Sequence, residues 1–125
     1  MPLDPSELWA FLPVGYLLTV AIELPILVAG LSARHSMRRR IAAGFWLTAC
    51  TYPIVVLVLP YLVWEPCGYA AYLAVAETFA PVTECLLFWL AYLCPTAPRT
   101  RADLRDFAAV VAANLSSFLL GMMVL

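Results

Sequence analysis

Four long stretches of this chain are almost continuously apolar, and short segments that carry most of the charge separate them. A helix needs about 20 mostly apolar residues to cross the ~30 Å hydrocarbon core of a bilayer. A transmembrane β-strand would instead alternate apolar and polar residues, and that alternation is absent. The pattern therefore predicts an all-α integral membrane protein. We expect a single domain, a four-helix bundle whose transmembrane helices span about residues 8–30, 41–63, 69–93 and 107–125.

Composition supports the same fold class. The chain is 65% hydrophobic and 12% charged, whereas soluble domains average about 45–50% apolar and 25% charged residues. The N-terminal segment carries Asp4 and Glu7, so it lacks the positive region of a signal peptide, and the first apolar stretch is expected to be retained. The four cysteines show no CxxC spacing and are interpreted as small apolar residues; they are Cys50, Cys67, Cys85 and Cys94. The expected environment is the lipid bilayer, with no nucleic-acid partner.

The basic residues predict the orientation of the helices. All seven are arginines, and they lie in only two segments, Ser32–Arg40 and Pro95–Asp106. Arg-rich loops face the cytoplasm in most membrane proteins. We therefore expect two Arg-rich loops in the cytoplasm and both termini outside (periplasmic), in a multi-pass protein of a bacterial-type cytoplasmic (inner) membrane. The single histidine, His35, falls in the first of these loops and is expected to be solvated.

Three glutamates interrupt the apolar stretches, and no basic residue in those stretches can neutralise them. They are Glu23, Glu77 and Glu84. An ionised carboxylate in hydrocarbon costs several kcal/mol unless it is paired, so an intramembrane glutamate indicates a functional site. Either these side chains are held protonated, or a positive species that is not part of the chain binds to them.

Counting along the spans places several polar residues at one depth. With a rise of ~1.5 Å per residue, one polar layer slightly to the cytoplasmic side of the midplane collects residues from every helix. Its members are Glu23, Thr48, Thr51, Tyr52, Glu84, Asn114 and Ser117. Glu77 precedes Glu84 by seven residues, so it lies on the same helix face, roughly 10 Å further outward. The sequence thus predicts a polar bundle interior or a water-accessible groove.

Three prolines inside the spans are predicted to break the helices. They are Pro25, Pro53 and Pro81, and each removes one backbone hydrogen bond and frees a carbonyl. Carbonyl, carboxylate, hydroxyl and amide oxygens suit a proton, Na⁺, Mg²⁺, Ca²⁺ or Mn²⁺. The identity of any metal is unknown at this stage. No ligand set for haem or zinc is visible, so the cofactors are unknown as well.

Three hypotheses follow for the function. In the first, the protein conducts or transports a proton or cation as a homo-oligomer or with partner subunits. Its ion- or proton-binding residues would be Glu23, Glu77, Glu84, Asn114, Thr51 and Ser117. In the second, it is a non-catalytic structural or accessory subunit of a larger membrane complex, and its protonated glutamates hydrogen-bond between helices.

The third hypothesis is an intramembrane enzyme with Glu23 and Glu84 as an acid–base pair. Apart from Ser117, the spans offer no obvious nucleophile. The balance is therefore against enzymatic activity, and no catalytic residue is assigned.

Overall fold

The protein consists of four long helices in the computed structural model, which describes residues 4–93 and 100–124. All four are long and apolar enough to cross a membrane, and the described residues contain no strand. The helices are α1 (Pro5–Gly30), α2 (Met37–Cys67), α3 (Tyr69–Tyr92) and α4 (Arg101–Val124). The predicted all-α bundle with four membrane-length helices is confirmed, while its orientation stays a prediction. Cys94, Arg99 and Leu125 lie outside the described residues.

Helices α2 and α4 both begin earlier than the apolar stretches that predict them. Ser36 caps α2, because its Oγ accepts a hydrogen bond from the Arg39 amide at 3.2 Å. At the start of α4, the Thr100 amide donates to Asp103 at 3.1 Å and the Asp103 amide donates to Thr100 Oγ1 at 3.3 Å. This reciprocal pair is a capping box, which fixes a helix start. Residues 37–40 and 101–106 are therefore helical, although hydrophobicity alone placed them in loops.

The three prolines have different consequences. Helices α1 and α3 continue through Pro25 and Pro81. The helix breaks predicted at these two positions do not occur, and each proline only removes one backbone N–H donor from a continuous helix. After Pro53, α2 changes to π-helical turns at Ile54–Val58 and Pro60–Trp64.

A π-helical turn pairs a carbonyl with the N–H group five residues later. The partner of Val55 would be Pro60, which has no N–H group. The Val55 carbonyl instead accepts a hydrogen bond from the Tyr72 hydroxyl at 2.9 Å. This bond joins the second half of α2 to α3.

The helices form a ring in which α1 and α3 each pack against both α2 and α4. Two ends of the bundle can be distinguished. We call the end with the α1–α2 connection, residues 31–36, the arginine end. We call the end with the α2–α3 connection at Gly68 the turn end. Gly68 has a φ of 95°, a backbone conformation that glycine adopts without the strain a side chain would add.

The ring is closed near the arginine end by an apolar layer with one residue from each helix. These residues are Leu27 (2% exposed), Leu47 (0%), Phe88 (0%) and Val110 (1%). A buried polar residue lies four positions along the helix from each of them, on the side toward the turn end. In the same order these are Glu23, Thr51, Glu84 and Asn114. Positions four apart share a helix face, so a polar layer stacks directly on the apolar layer.

Burial decreases from this polar layer toward the turn end. In α4, no side chain from Leu115 to Met123 is buried. In α1, only Gly15 and Val20 are buried before Glu23. The bundle is therefore tightly packed at the arginine end and encloses open space toward the turn end.

Candidate functional site

The open space is a cavity of about 510 Å³ that all four helices line. It extends from Leu8, Trp64 and Tyr69 near the turn end to the polar layer. All six residues that the sequence predicts as ion- or proton-binding lie on its wall. They are Glu23, Thr51, Glu77, Glu84, Asn114 and Ser117. That these residues bind an ion stays a prediction, but the structure brings them to one place.

Two carboxyl groups at the floor of the cavity each contact a threonine of α2. Thr48 Oγ1 lies 3.3 Å from Glu23 Oε2 and 3.2 Å from the Gly44 carbonyl. Thr51 Oγ1 lies 3.0 Å from Glu84 Oε2 and 3.2 Å from the Leu47 carbonyl. Both glutamates are almost fully buried.

Each threonine hydroxyl has one proton and can therefore serve its two neighbours in two ways. When the carboxyl is ionised, the hydroxyl donates to it. When the carboxyl is protonated, the acid donates to the hydroxyl, and the hydroxyl donates to its own helix carbonyl. Both protonation states are satisfied after rotation of one hydroxyl, so the floor of the cavity accommodates gain or loss of a proton without rearrangement of the helices.

Asn114 and Ser117 bring amide and hydroxyl groups from α4 to the same level. Asn114 Nδ2 donates to the Val110 carbonyl at 3.0 Å, and the Asn114 side chain also interacts with Glu84. Ser117 Oγ donates to the Asn114 carbonyl at 2.9 Å. Because this hydroxyl donates its hydrogen bond to a backbone carbonyl of its own helix, Ser117 is not arranged as a nucleophile beside a general base.

Glu77 differs from the two floor glutamates. It is half-buried on the cavity wall, nearer the turn end than Glu84 by seven residues of the same helix. Within residues 4–93 and 100–124, its carboxylate accepts no hydrogen bond from another side chain or amide. Hydrogen bonding between helices therefore does not explain the presence of a glutamate at position 77.

Three aromatic rings line the cavity at its turn end. The centroid of Trp64 lies 4.7 Å from that of Tyr69 and 5.3 Å from that of Tyr72, and Tyr69 and Tyr72 are stacked at 6.0 Å. None of these three residues is among the site residues predicted from the sequence. The available signal was the three-residue spacing of Tyr69 and Tyr72, which places both on one face of α3.

The charged side chains that line the cavity in the described part of the chain are all acidic. Its lining, taken over the part of the chain that the structure describes, contains three glutamates and no lysine, arginine or histidine. The same part of the chain has no group of three or more His, Cys, Asp or Glu side chains placed to hold a metal ion. Two of the carboxylates, Glu23 and Glu84, lie at the floor of the cavity, and the third, Glu77, lies on its wall nearer the turn end.

A separate ionic cluster lies at the arginine end. Asp106, whose side chain is 0% exposed, accepts hydrogen bonds from the Ser32 amide at 2.7 Å and from Arg34 Nη2 at 2.8 Å. His35 Nε2 also lies 2.8 Å from its carboxylate. The expectation that His35 is solvated is wrong: the residue is 3% exposed, because Asp106 and the ring of Phe88 surround it.

Two further arginines, Arg40 and Arg105, stabilise the C-terminal end of α1 beside this cluster. Arg40 donates to the Val28 and Ser32 carbonyls at 2.5 and 2.9 Å, and Arg105 donates to the Gly30 carbonyl at 3.0 Å. Cations at a helix C-terminus bind carbonyls that have no partner within the helix. Hydrogen bonds to Asp103 and Asp106 raise the pKa of Arg34, so its guanidinium stays charged.

No protein-family model, no curated protein and no solved structure matches this chain. The function is therefore inferred from the geometry of the cavity. The cavity combines two carboxyl groups that contact threonines at its floor, a half-buried carboxylate on its wall and three aromatic rings at its turn end.

Proposed function

We propose that this protein binds a proton or a cation inside the membrane and conducts or transports it. The observation that carries the proposal is that Glu23, Glu77 and Glu84 line one cavity in which the described lining has no basic side chain. Buried carboxylates without a paired cation are costly in hydrocarbon. A proton or an external cation would supply the missing positive charge.

In this proposal Glu77 receives the cation or proton from the turn end, and Glu84 and Glu23 form the inner site. Thr48 and Thr51 stabilise either protonation state of the inner carboxyl groups through their hydroxyls. Asn114 and Ser117 contribute neutral polar groups at the same level. The proton is thus held at the carboxyl oxygens of Glu23 and Glu84.

Passage beyond the inner site requires the apolar layer to open. Leu27, Leu47, Phe88 and Val110 separate the cavity from the arginine end. We therefore propose that the chain works as a homo-oligomer or as a subunit of a larger membrane complex whose contacts move the helices. The proposed location is the cytoplasmic membrane of a bacterial-type cell, with the turn end outside.

Flux of protons or cations through the protein should depend on Glu84. In proteoliposomes of the purified chain under an imposed pH or cation gradient, Glu84→Gln should reduce flux at least tenfold, because the amide cannot exchange a proton. Glu7→Gln is the matched control, since Glu7 is exposed and outside the cavity, and it should keep wild-type flux. Equal flux in wild type and Glu84→Gln would disprove the role of the inner site.

A second candidate function is that of a structural or accessory subunit. The contacts of Thr48 with Glu23 and of Thr51 with Glu84 favour it, because each joins two helices. Such bonds are worth roughly 1–2 kcal/mol in model peptides. This alternative predicts co-purification with other chains and poor stability of the isolated chain, and it leaves Glu77 without a role.

Glu77 therefore distinguishes the two functions. Glu77→Gln should reduce flux at least tenfold while the free energy of unfolding changes by no more than about 0.5 kcal/mol, as for substitutions that break no structural contact. The measurements are flux in proteoliposomes and unfolding in detergent with the same preparation. Unchanged flux with a marked loss of stability would instead favour a structural role for all three glutamates.

A further inference from the structure

We infer that the cavity takes a monovalent organic cation, with an ammonium- or phosphonium-type centre and an apolar, aromatic-sized body. This inference rests on the proposed function and narrows the class of cation that the same site binds. Its support is the size of the cavity, the position of Glu77, and the aromatic rings at the turn end.

The cavity is larger than a bare metal ion needs, and Glu77 lies too far from Glu84 for one such ion to bind both. Its volume of about 510 Å³ falls within the roughly 300–1,000 Å³ that is typical of small-molecule sites. Bare Ca²⁺ is coordinated at about 2.3–2.6 Å by six or more oxygens. Glu77 and Glu84 are two helical turns apart, roughly 10 Å along the axis, and therefore cannot share such an ion.

The aromatic rings form a wall for the body of the cation. Trp64, Tyr69 and Tyr72 have mutual centroid distances of 4.7–6.0 Å and all line the cavity. Cations are attracted to aromatic faces within about 6 Å, and the attraction strengthens when water is excluded. Glu77 and Tyr72 line the same cavity from α3, so a positive centre between them would meet both a carboxylate and π-electrons.

Small residues keep the space open. Ala76 and Ala80 line the cavity on the face of α3 that carries Glu77 and Glu84. Gly121 lines it from α4, and a Cβ atom there would meet no other atom within 4 Å. No neighbouring helix is therefore in close contact with Gly121, and a Cβ atom could be added there without a clash.

A neutral occupant does not fit the charge of the site. An apolar molecule or a lipid chain would cover the Glu77 carboxylate and leave it without a hydrogen-bond or charge partner. Burying an unpaired polar group is unfavourable, and burying an unpaired charge is much more so. A cation removes this cost, and its apolar body is matched to the walls formed by Phe11, Leu18, Val55 and Phe118.

The test is binding of tetraphenylphosphonium to the purified chain in detergent, measured by equilibrium dialysis or calorimetry. We expect saturable binding to wild type. Glu77→Gln should weaken binding at least tenfold because it removes the unpaired carboxylate. Gly121→Trp should do the same by filling the cavity, while Leu119→Trp, at an exposed position of α4 outside the cavity lining, and Glu7→Gln should bind as wild type does. Size-exclusion chromatography of every variant verifies that it is folded.

Two outcomes would overturn the inference: no saturable binding to wild type, or equal binding in Gly121→Trp and Leu119→Trp. Flux measurements separate this inference from the proposed function. Proton flux that depends on Glu84 without binding of the phosphonium would disprove only the organic cation. Binding that depends on Glu77 without any flux would support the inferred site and disprove transport.

Discussion

Replacing Asp106 with alanine is expected to destabilise the protein by about 3–5 kcal/mol, the usual cost of removing one partner of a buried ion pair. The carboxylate is fully buried and accepts hydrogen bonds from Ser32, Arg34 and His35. Arg34 is 39% exposed and can turn to water after the substitution. The Ser32 amide and the His35 ring are buried and would remain without an acceptor, each at a cost of about 1–3 kcal/mol.

The effect of Asp106→Ala is measured as the free energy of unfolding in mixed detergent micelles. Leu104→Ala is the matched control, because Leu104 lies two residues earlier on α4 and is 67% exposed; its stability should stay within about 0.5 kcal/mol of wild type. Asp106→Asn keeps the shape and one acceptor, so it should fall between the two. A loss below about 1 kcal/mol in Asp106→Ala would mean that the cluster does not hold the arginine end together.

The number and nature of the helices could be predicted from the sequence because a membrane imposes a length on each apolar stretch. Their limits could not, since a helix can extend beyond hydrocarbon wherever a cap satisfies its first amides. The Thr100–Asp103 pair does this for α4. Its spacing, a threonine followed three residues later by an acid, is a capping-box signal, and hydrophobicity alone does not include it.

The polar layer could be anticipated because the rise of a helix is constant, so that counting residues gives depth. This is how Glu23, Thr51, Glu84 and Asn114 could be grouped before any contact was known. Counting fails in the second half of α2, because π-helical turns contain more residues than α-helical turns and rotate the faces. The position of Trp64 on the cavity wall therefore could not be predicted by counting residues.

The ionic cluster was beyond the sequence for a different reason. His35 and Asp106 are 71 residues apart in the chain, and their contact depends on how α1 and α4 pack. A run of charge near a membrane boundary predicts topology but does not specify the acceptor of each hydrogen bond. Arg40 and Arg105 were interpreted only as a topology signal, yet both donate to carbonyls at the end of α1.

The second large effect is expected for Phe88→Ala, in the apolar layer between the cavity and this cluster. Phe88 is 0% exposed, and its ring makes edge contacts with His35 and Tyr92 at centroid distances of 5.2 and 5.0 Å. We expect a loss of about 2–4 kcal/mol, somewhat below the 3–5 kcal/mol typical of Phe→Ala in soluble cores. The reduction follows because lipid tails are as apolar as the protein interior, so only packing is lost.

Phe45→Ala is the matched control, since Phe45 is 43% exposed on a membrane-length helix and can exchange protein contacts for lipid contacts. Its unfolding free energy should change by less than about 0.5 kcal/mol, and the same detergent unfolding assay compares the two variants. Equal losses would imply that Phe88 contributes no more than a lipid-facing ring. The apolar layer would then be too loose to close the cavity, and the proposed separation of its inner site from the arginine end would fail.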